Sequence, residues 1–480
     1  MSNKKNAILN VINSLLNVAT PIITFPYIAR IFGVNEIGLL SLADSVTIIF
    51  GVISSGGILV YGFREISKTK NTEEKILLAN SLFTFNTILV VFSFTFYLLV
   101  IFFVPALLSN SLIYIIYAIG ILFNSLNLIW IFQGLNNYEL ITKRNLLVKT
   151  GLIITMFLII KDSSDFLLWP LIIVVGNTIG NILYIYNVNK ILGSSLKFVS
   201  INFIEILKKV KYIFITSFLI QSIFIIDRFI INSAFGLEVL GYYSVALKVT
   251  RTFELFVSAI GIVLVPQIIK SFFEKNLLKL EILLFKFFSI MTTLSFFYIY
   301  FLVIFSKDLI ILYAGPKYSI ASEYLFLMIA LPFFQIANSF MVNTLIINTN
   351  NDKYYLNYYI VNFLILLFVF LSSSILNSVN DLIYLLYIIN ILWFFINIIY
   401  TKKKLKIQLY PLKFITTNLI FLLTAVLIYI LNKHLISIYT KFTLLISVFL
   451  FHLLVEKIRH TPTYQLLIQF ISSLHGKVFK

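Results

Sequence analysis

Ile76-Leu77-Leu78-Ala79-Asn80-Ser81-Leu82-Phe83-Thr84-Phe85-Asn86-Thr87-Ile88-Leu89-Val90-Val91-Phe92-Ser93-Phe94-Thr95-Phe96-Tyr97-Leu98-Leu99-Val100-Ile101-Phe102-Phe103-Val104 is apolar almost throughout and carries no charge. A helix needs roughly 20 such residues to cross a bilayer, and lipid admits only helices or closed barrels. Barrel strands would alternate every second residue, which this run does not do. The same kind of segment recurs along the chain. Spans are expected near 7–32, 37–62, 76–104, 111–133, 142–160, 166–188, 212–235, 240–265, 282–305, 321–347, 354–376, 382–400, 411–431 and 435–455. The fold class is therefore an all-α polytopic membrane protein of about fourteen transmembrane helices.

Composition agrees. Of 480 residues, 60% are hydrophobic and 12% charged, with a mean hydropathy of +1.00. Soluble domains carry about twice that share of charge. With no cysteine, disulfides, thiol nucleophiles and cysteine-ligated metals are excluded. His434, His452, His460 and His475 lie in the last tenth of the chain without an acidic cluster at ligand spacing, so they read as interfacial or tail residues rather than a zinc site. Lys4 and Lys5 precede an apolar run reaching Phe32, long enough for a retained first span rather than a cleaved signal.

The net charge of +18 reflects topology. Most of the 37 basic residues fall in alternate loops, while the others hold Lys161, Lys307, Lys317, Lys433 and Lys441. By the positive-inside rule both termini are cytoplasmic, and anionic lipid headgroups rather than nucleic acid are the partners of these charges.

The domain organisation expected is an N-terminal six-helix lobe (1–189), a basic cytoplasmic linker (190–211), a C-terminal six-helix lobe (212–401), two further transmembrane helices (402–460) and an amphipathic cytoplasmic tail (461–480). The linker carries Lys190, Lys197, Lys208, Lys209 and Lys211. An internal repeat supports the two lobes. Ile31-Phe32-Gly33-Val34-Asn35-Glu36-Ile37-Gly38-Leu39-Leu40-Ser41-Leu42-Ala43 resembles Ala234-Phe235-Gly236-Leu237-Glu238-Val239-Leu240-Gly241-Tyr242-Tyr243-Ser244-Val245-Ala246 at a constant offset of 203. The paired glycines suit tight turns requiring positive φ, and parallel repeats are a transporter architecture.

No Walker lysine loop, GxGxxG unit or HExxH is present, so ATP-driven transport within this chain is not expected, nor an enzyme activity or a bound cofactor. Polarity inside the spans carries what chemistry there is, because it is costly in lipid. In the first span Asn10, Asn13, Asn17, Thr20 and Thr24 fall within about 80° of arc. That face serves either as glue between helices or as a cavity wall, and Pro21 and Pro26 are expected to kink or unwind the helix. The eighth span holds Lys248, Arg251 and Glu254 at steps of three, either paired internally or forming a cationic cavity wall. The seventh contributes Asp227-Arg228, with Gln221 on the stripe of Arg228. Arg30 ends the first span, Asp44 shares a face with Ser41 and Ser45 as a candidate proton or cation site, and Arg64 ends the second span as an anchor or inner gate. Arginines suit bidentate phosphate contacts, and neighbouring Ser, Asn and Gln could hold sugar hydroxyls.

Pro26-Tyr27-Ile28-Ala29-Arg30-Ile31-Phe32-Gly33, Gly38-Leu39, Tyr61-Gly62-Phe63-Arg64-Glu65-Ile66, Trp130-Ile131-Phe132-Gln133-Gly134, Asp227-Arg228 and Gly241-Tyr242-Tyr243-Ser244-Val245-Ala246 resemble, in order and spacing, the polysaccharide flippases of the Wzx type. The resemblance implies the multidrug/oligosaccharidyl-lipid/polysaccharide exporter fold, with two six-helix lobes around a V-shaped cavity and two extra helices. It implies movement of undecaprenyl-diphosphate-linked repeat units, for O-antigen, capsule or related polysaccharide, across the bacterial inner membrane by alternating access coupled to protons or Na+. Arg30, Arg228, Lys248 and Arg251 would attract the diphosphate, with Asp44, Asp227 and Glu254 as ion-coupling or charge partners. A polysaccharide polymerase and a chain-length regulator would be partners. A drug exporter or a lipid II flippase of the same superfamily is the competing reading, and a membrane polymerase is disfavoured by the short outer loops.

Overall fold

The computed structural model describes residues 3–346, 348, 352–405, 412–432 and 438–458. Among them there are helices and turns but no strand. The helices are α1 (Asn3–Ile31), α2 (Val34–Ser55), α3 (Ile58–Lys68), α4 (Thr72–Phe103), α5 (Pro105–Leu108), α6 (Ser111–Leu122), α7 (Ile129–Gly134), α8 (Tyr138–Ile159) and α9 (Leu168–Leu192). They continue with α10 (Phe203–Phe273), α11 (Leu277–Ala314), α12 (Ala321–Leu327), α13 (Leu331–Phe340), α14 (Asp352–Leu371), α15 (Val379–Leu405), α16 (Leu412–Asn432) and α17 (Ile438–Ile458). Eight stretches among the described residues are long and apolar enough to cross a membrane, or nine if α12 and the bent segment after it count as one. The expected tail at 461–480, with His460 and His475, and also His434, lie outside the described residues.

Several expected spans are broken. The second divides into α2 and α3 because Gly56 (φ 53°) and Gly57 (φ 78°) are left-handed, and the Gly56 N–H closes α2 on the Val52 and Ile53 carbonyls. The fourth divides into α6 and α7 around a 3-10 turn, Phe123–Leu126. The tenth bends by 50° between α12 and α13, where Pro332 opens the second helix. The seventh and eighth form the long α10, broken at Gly236 (φ 83°). Positive φ is therefore met at Gly236, but its counterpart Gly33 is extended at φ −68°, ψ 169°. The expected unwinding of the first span does not occur, since α1 stays helical through Pro21 and Pro26. The stretch expected as a linker at 190–211 is helical from Phe203 onward. Its earlier part is fastened to α4, where Lys197 N–H donates to Asn80 and Val199 N–H to Thr84.

Contacts divide the chain into two compact units. The first holds Met1–Ser244 with Tyr359–Ile375, and the second Val245–Tyr358 with Leu376–Lys480. In the first, Ile58, Ile66, Trp130, Phe132, Tyr184 and Val210 share one core. In the second, α11 is the central helix: 61% of its spanning window is buried, against 22% for α15. The outward sides are lined with residues such as Phe102, Phe103, Phe368 and Leu371, which suits lipid as the solvent.

Lipid supplies no hydrophobic force between helices, so close packing has to come from shape. Gly62 on α3 lies against the Trp130 ring on α7, and Gly134 on α7 against Ile66 on α3. Two of the short sequence motifs thus interlock. Gly62→Val drives a methyl into the indole and should cost about 1–3 kcal/mol, read as a lower melting temperature of the purified protein in detergent. Gly151→Ala, with nothing within 4 Å, should melt as the parent does.

Candidate functional site

The two copies of the internal repeat meet in the first unit. A Cβ on Gly38 of α2 would overlap the Leu237 carbonyl oxygen of α10, and one on Gly241 of α10 would overlap the Val34 carbonyl oxygen of α2. Leu237 is the repeat counterpart of Val34, and Gly241 that of Gly38, so the contact is exchange-symmetric. Isologous contacts of this kind mark a two-fold axis. Ser244 Oγ, the counterpart of Ser41, donates to Ser41 Oγ at 2.8 Å. The hydrogen bond therefore joins equivalent atoms of the two copies. The expectation that both glycines of each copy serve a turn is corrected here: Gly38 and Gly241 lie within helices, and the missing Cβ lets two backbones approach.

Next to this crossing lies a charged cluster. Arg228 is buried on α10, and its guanidinium donates to Ser45 Oγ at 2.8 Å and faces Asp44 Oδ2 at 3.7 Å. The Arg228 side chain is 5% exposed while that of Asp44 is 45% exposed. The shorter, buried contact to Ser45 is the one that clamps α2 to α10. Asp227 Oδ1 accepts from the Arg228 backbone N–H at 2.9 Å, and Oδ2 accepts from the Tyr243 hydroxyl at 2.8 Å. That bond spans the Gly236 break and fixes the angle between the two parts of α10. Two carboxylates and one guanidinium give the cluster a formal charge of −1.

Lys248, Arg251 and Glu254 lie half-buried along the later part of α10, in the second unit. Arg30 is exposed in the last turn of α1, and Arg64 is exposed on α3. Of the candidates, Asp44, Asp227 and Arg228 are brought together, Lys248, Arg251 and Glu254 stay on one helix, and Arg30 and Arg64 lie apart from both groups along the chain.

Sequence reading missed a second group of cations in the first unit. α8 starts at Tyr138, four residues before the expected 142, because Asn137 caps it by accepting from Leu140 N–H. Lys149 lies mid-helix, hydrogen-bonded to Asn17 of α1. Arg144, one turn earlier, donates to Asn145 at 2.9 Å, Asn181 at 3.1 Å and the Asn177 carbonyl at 3.3 Å, and lies over the Tyr184 ring. Asn13 donates to Thr142 at 2.8 Å and accepts from Asn145 at 3.2 Å. The polar face of the first span therefore acts as glue to α8 at Asn13, while Thr20 and Thr24 turn back to the Leu16 and Thr20 carbonyls. An Asn-x-x signal before Tyr138 would have exposed the earlier helix start. Among the described residues no group of three metal-ligating side chains is close enough to hold an ion.

Residues 4–272 match the family described as polysaccharide biosynthesis protein. No curated protein matches the sequence. Among solved structures, the fold is similar to a multidrug resistance MATE family transporter of the MOP superfamily in an inward-facing conformation, with TM-score 0.63 and 12% identity over 82% of this chain and 94% of that one. It is also similar to the lipid II flippase MurJ in an inward closed conformation, with TM-score 0.63 and 17% identity over 97% of this chain and 100% of that one. At such identities the likeness establishes the fold alone, that of a polytopic membrane protein.

The crossing can be tested cleanly because the chain contains no cysteine. In a Ser41→Cys/Ser244→Cys variant, mild oxidation should join the two thiols within one chain, and reduction should free them again. Absence of an internal disulfide, read by mobility after cleavage between the two positions, would show that the hydroxyls do not meet.

Proposed function

Because the chain belongs to the polysaccharide biosynthesis protein family, we propose that it is a flippase for undecaprenyl-diphosphate-linked oligosaccharide repeat units. It moves them across the bacterial plasma membrane by alternating access, for O-antigen, capsule or related surface polysaccharide. The observation that carries this reading is the set of cations along membrane-length helices: Lys248 and Arg251 half-buried on α10, and Arg144 and Lys149 within α8. A charge on a spanning helix costs about 2.5–3.5 kcal/mol on insertion scales, so cations repeated along such helices suit an anionic substrate such as a diphosphate. Bidentate arginine contacts hold its oxygens, and Asn and Ser side chains beside them take sugar hydroxyls loosely enough to pass different glycans.

Within this reading Arg30, Arg228, Lys248 and Arg251 attract the diphosphate, and Lys149 joins them. The formal −1 charge around Asp44, Asp227 and Arg228 gives a place for a proton or Na+ to drive the cycle, Glu254 balances the α10 cations, and Arg64 guards the inner side. The Ser41–Ser244 crossing is the contact that parts when the site opens outward. Both termini lie in the cytoplasm, and a polymerase and a chain-length regulator receive the product.

A lipid II flippase is the second reading, favoured by the likeness to MurJ over 97% of this chain. A drug exporter fits less well, since a cationic drug needs unpaired carboxylates where this chain offers Lys and Arg. Purified protein in liposomes separates these readings by which substrate crosses: the oligosaccharide diphosphate, lipid II or a cationic dye. Deletion in the native bacterium should remove one surface glycan and accumulate its lipid-linked repeat unit on the inner leaflet; unchanged glycan and lipid pools would refute the proposal.

Loss of a charge-assisted contact costs about 2 kcal/mol, or about 30-fold. Arg251→Ala should therefore reduce flipping by about that factor at normal abundance, and Lys248→Gln by less. Full activity in Arg251→Ala, or a larger defect in Lys248→Gln, would remove the roles assigned.

A further inference from the structure

Two neighbouring spans of the first unit are broken side by side. α2 gives way to α3 at Gly56 and Gly57, and α6 gives way to α7 through the 3-10 turn Phe123–Leu126. Ser54, at the end of α2, ties the breaks together. Its carbonyl accepts from Asn86 Nδ2 of α4 at 2.7 Å, and its hydroxyl accepts from Asn124 Nδ2 of the turn at 2.7 Å. Beside this junction lies a gap of about 10 Å³, with Ser55, Asn86, Asn124, Asn127 and Trp130 in its wall. Trp130, on α7, is 1% exposed, and its Nε1–H has no hydrogen-bond partner among the described residues. Gly62 covers the Cε3 edge of the indole, so the opposite edge, which carries Nε1, is the one left for the gap. Ile58 and Leu59, the first two residues of α3, also line it, and Gly57 before them supplies no side-chain cap for their N–H groups.

We propose that this gap is a binding site for one neutral hydroxyl, that of a water or of a sugar. A buried indole N–H calls for an acceptor. Asn86 and Asn124 spend their Nδ2 groups on Ser54, which leaves Oδ1 of each to accept a proton donor. A hydroxyl meets both demands, taking the indole N–H on its oxygen and giving its own proton to an amide oxygen. An anion finds no Lys or Arg among the lining residues. A cation would face the indole N–H and the positive end of α3. The volume is close to the least that holds a water, so one oxygen-centred group enters and a whole sugar ring does not. Leu59, 39% exposed, marks the mouth beside which a ring would stay.

A purely apolar role for Trp130 is the weaker account, since a Phe would fill the same core without an N–H to satisfy. Lipid cannot serve the polar groups freed where a spanning helix breaks, and ordered water or protein hydroxyls do so where breaks persist. The bound hydroxyl joins the α6–α7 break to the α2–α3 break, next to the contact through which Gly62 and Trp130 already interlock α3 with α7. The sugar source rests on the function proposed above, whereas the water source does not.

With three tryptophans in the chain, exchanging Trp169 and Trp393 for Phe leaves Trp130 as the single indole to observe. The test is proton–nitrogen NMR of that full-length variant, labelled at tryptophan, in lipid nanodiscs. The Nε1–H resonance should stand at the low-field position of a hydrogen-bonded indole. Magnetisation transfer from water to this proton in the protein alone marks the hydroxyl as water, and a shift on adding glucose marks entry of a sugar hydroxyl. A resonance that shows neither would overturn the proposal. Asn127→Leu, which puts an apolar side chain of similar size into the gap, should abolish the transfer or the shift and move the resonance to higher field. An unchanged signal in that variant rejects the site. Should Asn127→Leu fail to assemble, Ser55→Val, in the same wall, is read in the same way. The liposome assay decides the flippase reading by itself, so its failure is distinct from the failure of this site.

Discussion

Lipid gives a helix no hydrogen-bond partner and no hydrophobic reason to prefer a neighbouring helix, so each polar group and each close approach has to be settled inside the protein. The structure meets that constraint in two ways. Glycines remove side chains where backbones need to touch, as at Gly38 and Gly241 or at Gly62 against Trp130. Polar side chains then bond across the seams so produced: Asn13 to Thr142, Arg228 to Ser45, and Thr293 to Glu456. On α14 and α15 the same bonding runs from Tyr354 to Asn397 and on to Asn338, while only 22% of each spanning window is buried.

The two charged assemblies obey the same rule with different outcomes. Arg228 is matched by Asp44, Asp227 and Ser45 within hydrogen-bonding reach or nearly so, which holds the α2–α10 seam together. Lys149 is held through a neutral amide, Asn17, which leaves its charge for something else to balance. One cation thus fixes the helices, and the other is held with no carboxylate beside it among the described residues.

Much of this was legible in the sequence. Apolar runs of spanning length identified the fold class, and the repeat singled out the residues that prove to lie on a symmetric contact. Legibility failed where the outcome depends on three dimensions. Glycine can serve positive φ or close approach, and only packing separates Gly236 from Gly241. Lys149 lies inside the expected fifth span as well as inside α8, but its bond to Asn17 depends on how α1 and α8 pack, which is a tertiary fact. His452 was read as interfacial, whereas α11 and α16 bury it, which is a tertiary fact.

The symmetric crossing also carries a history. A contact in which Gly38 meets Leu237 while Gly241 meets Val34, with Ser41 bonded to Ser244, is the interface that two identical half-length chains would form on inserting in the same orientation. Fusion of such halves frees each copy to diverge while the axis itself stays constrained. The divergence starts one residue past the shared stretch. At the same offset Asp44 aligns with Leu247 and Ser45 with Lys248, so one copy carries a receptor for Arg228 where the other carries a cation. Duplication thus turned one self-complementary surface into two halves with separate tasks, and substitutions at the axis are expected to be tolerated in pairs more readily than singly.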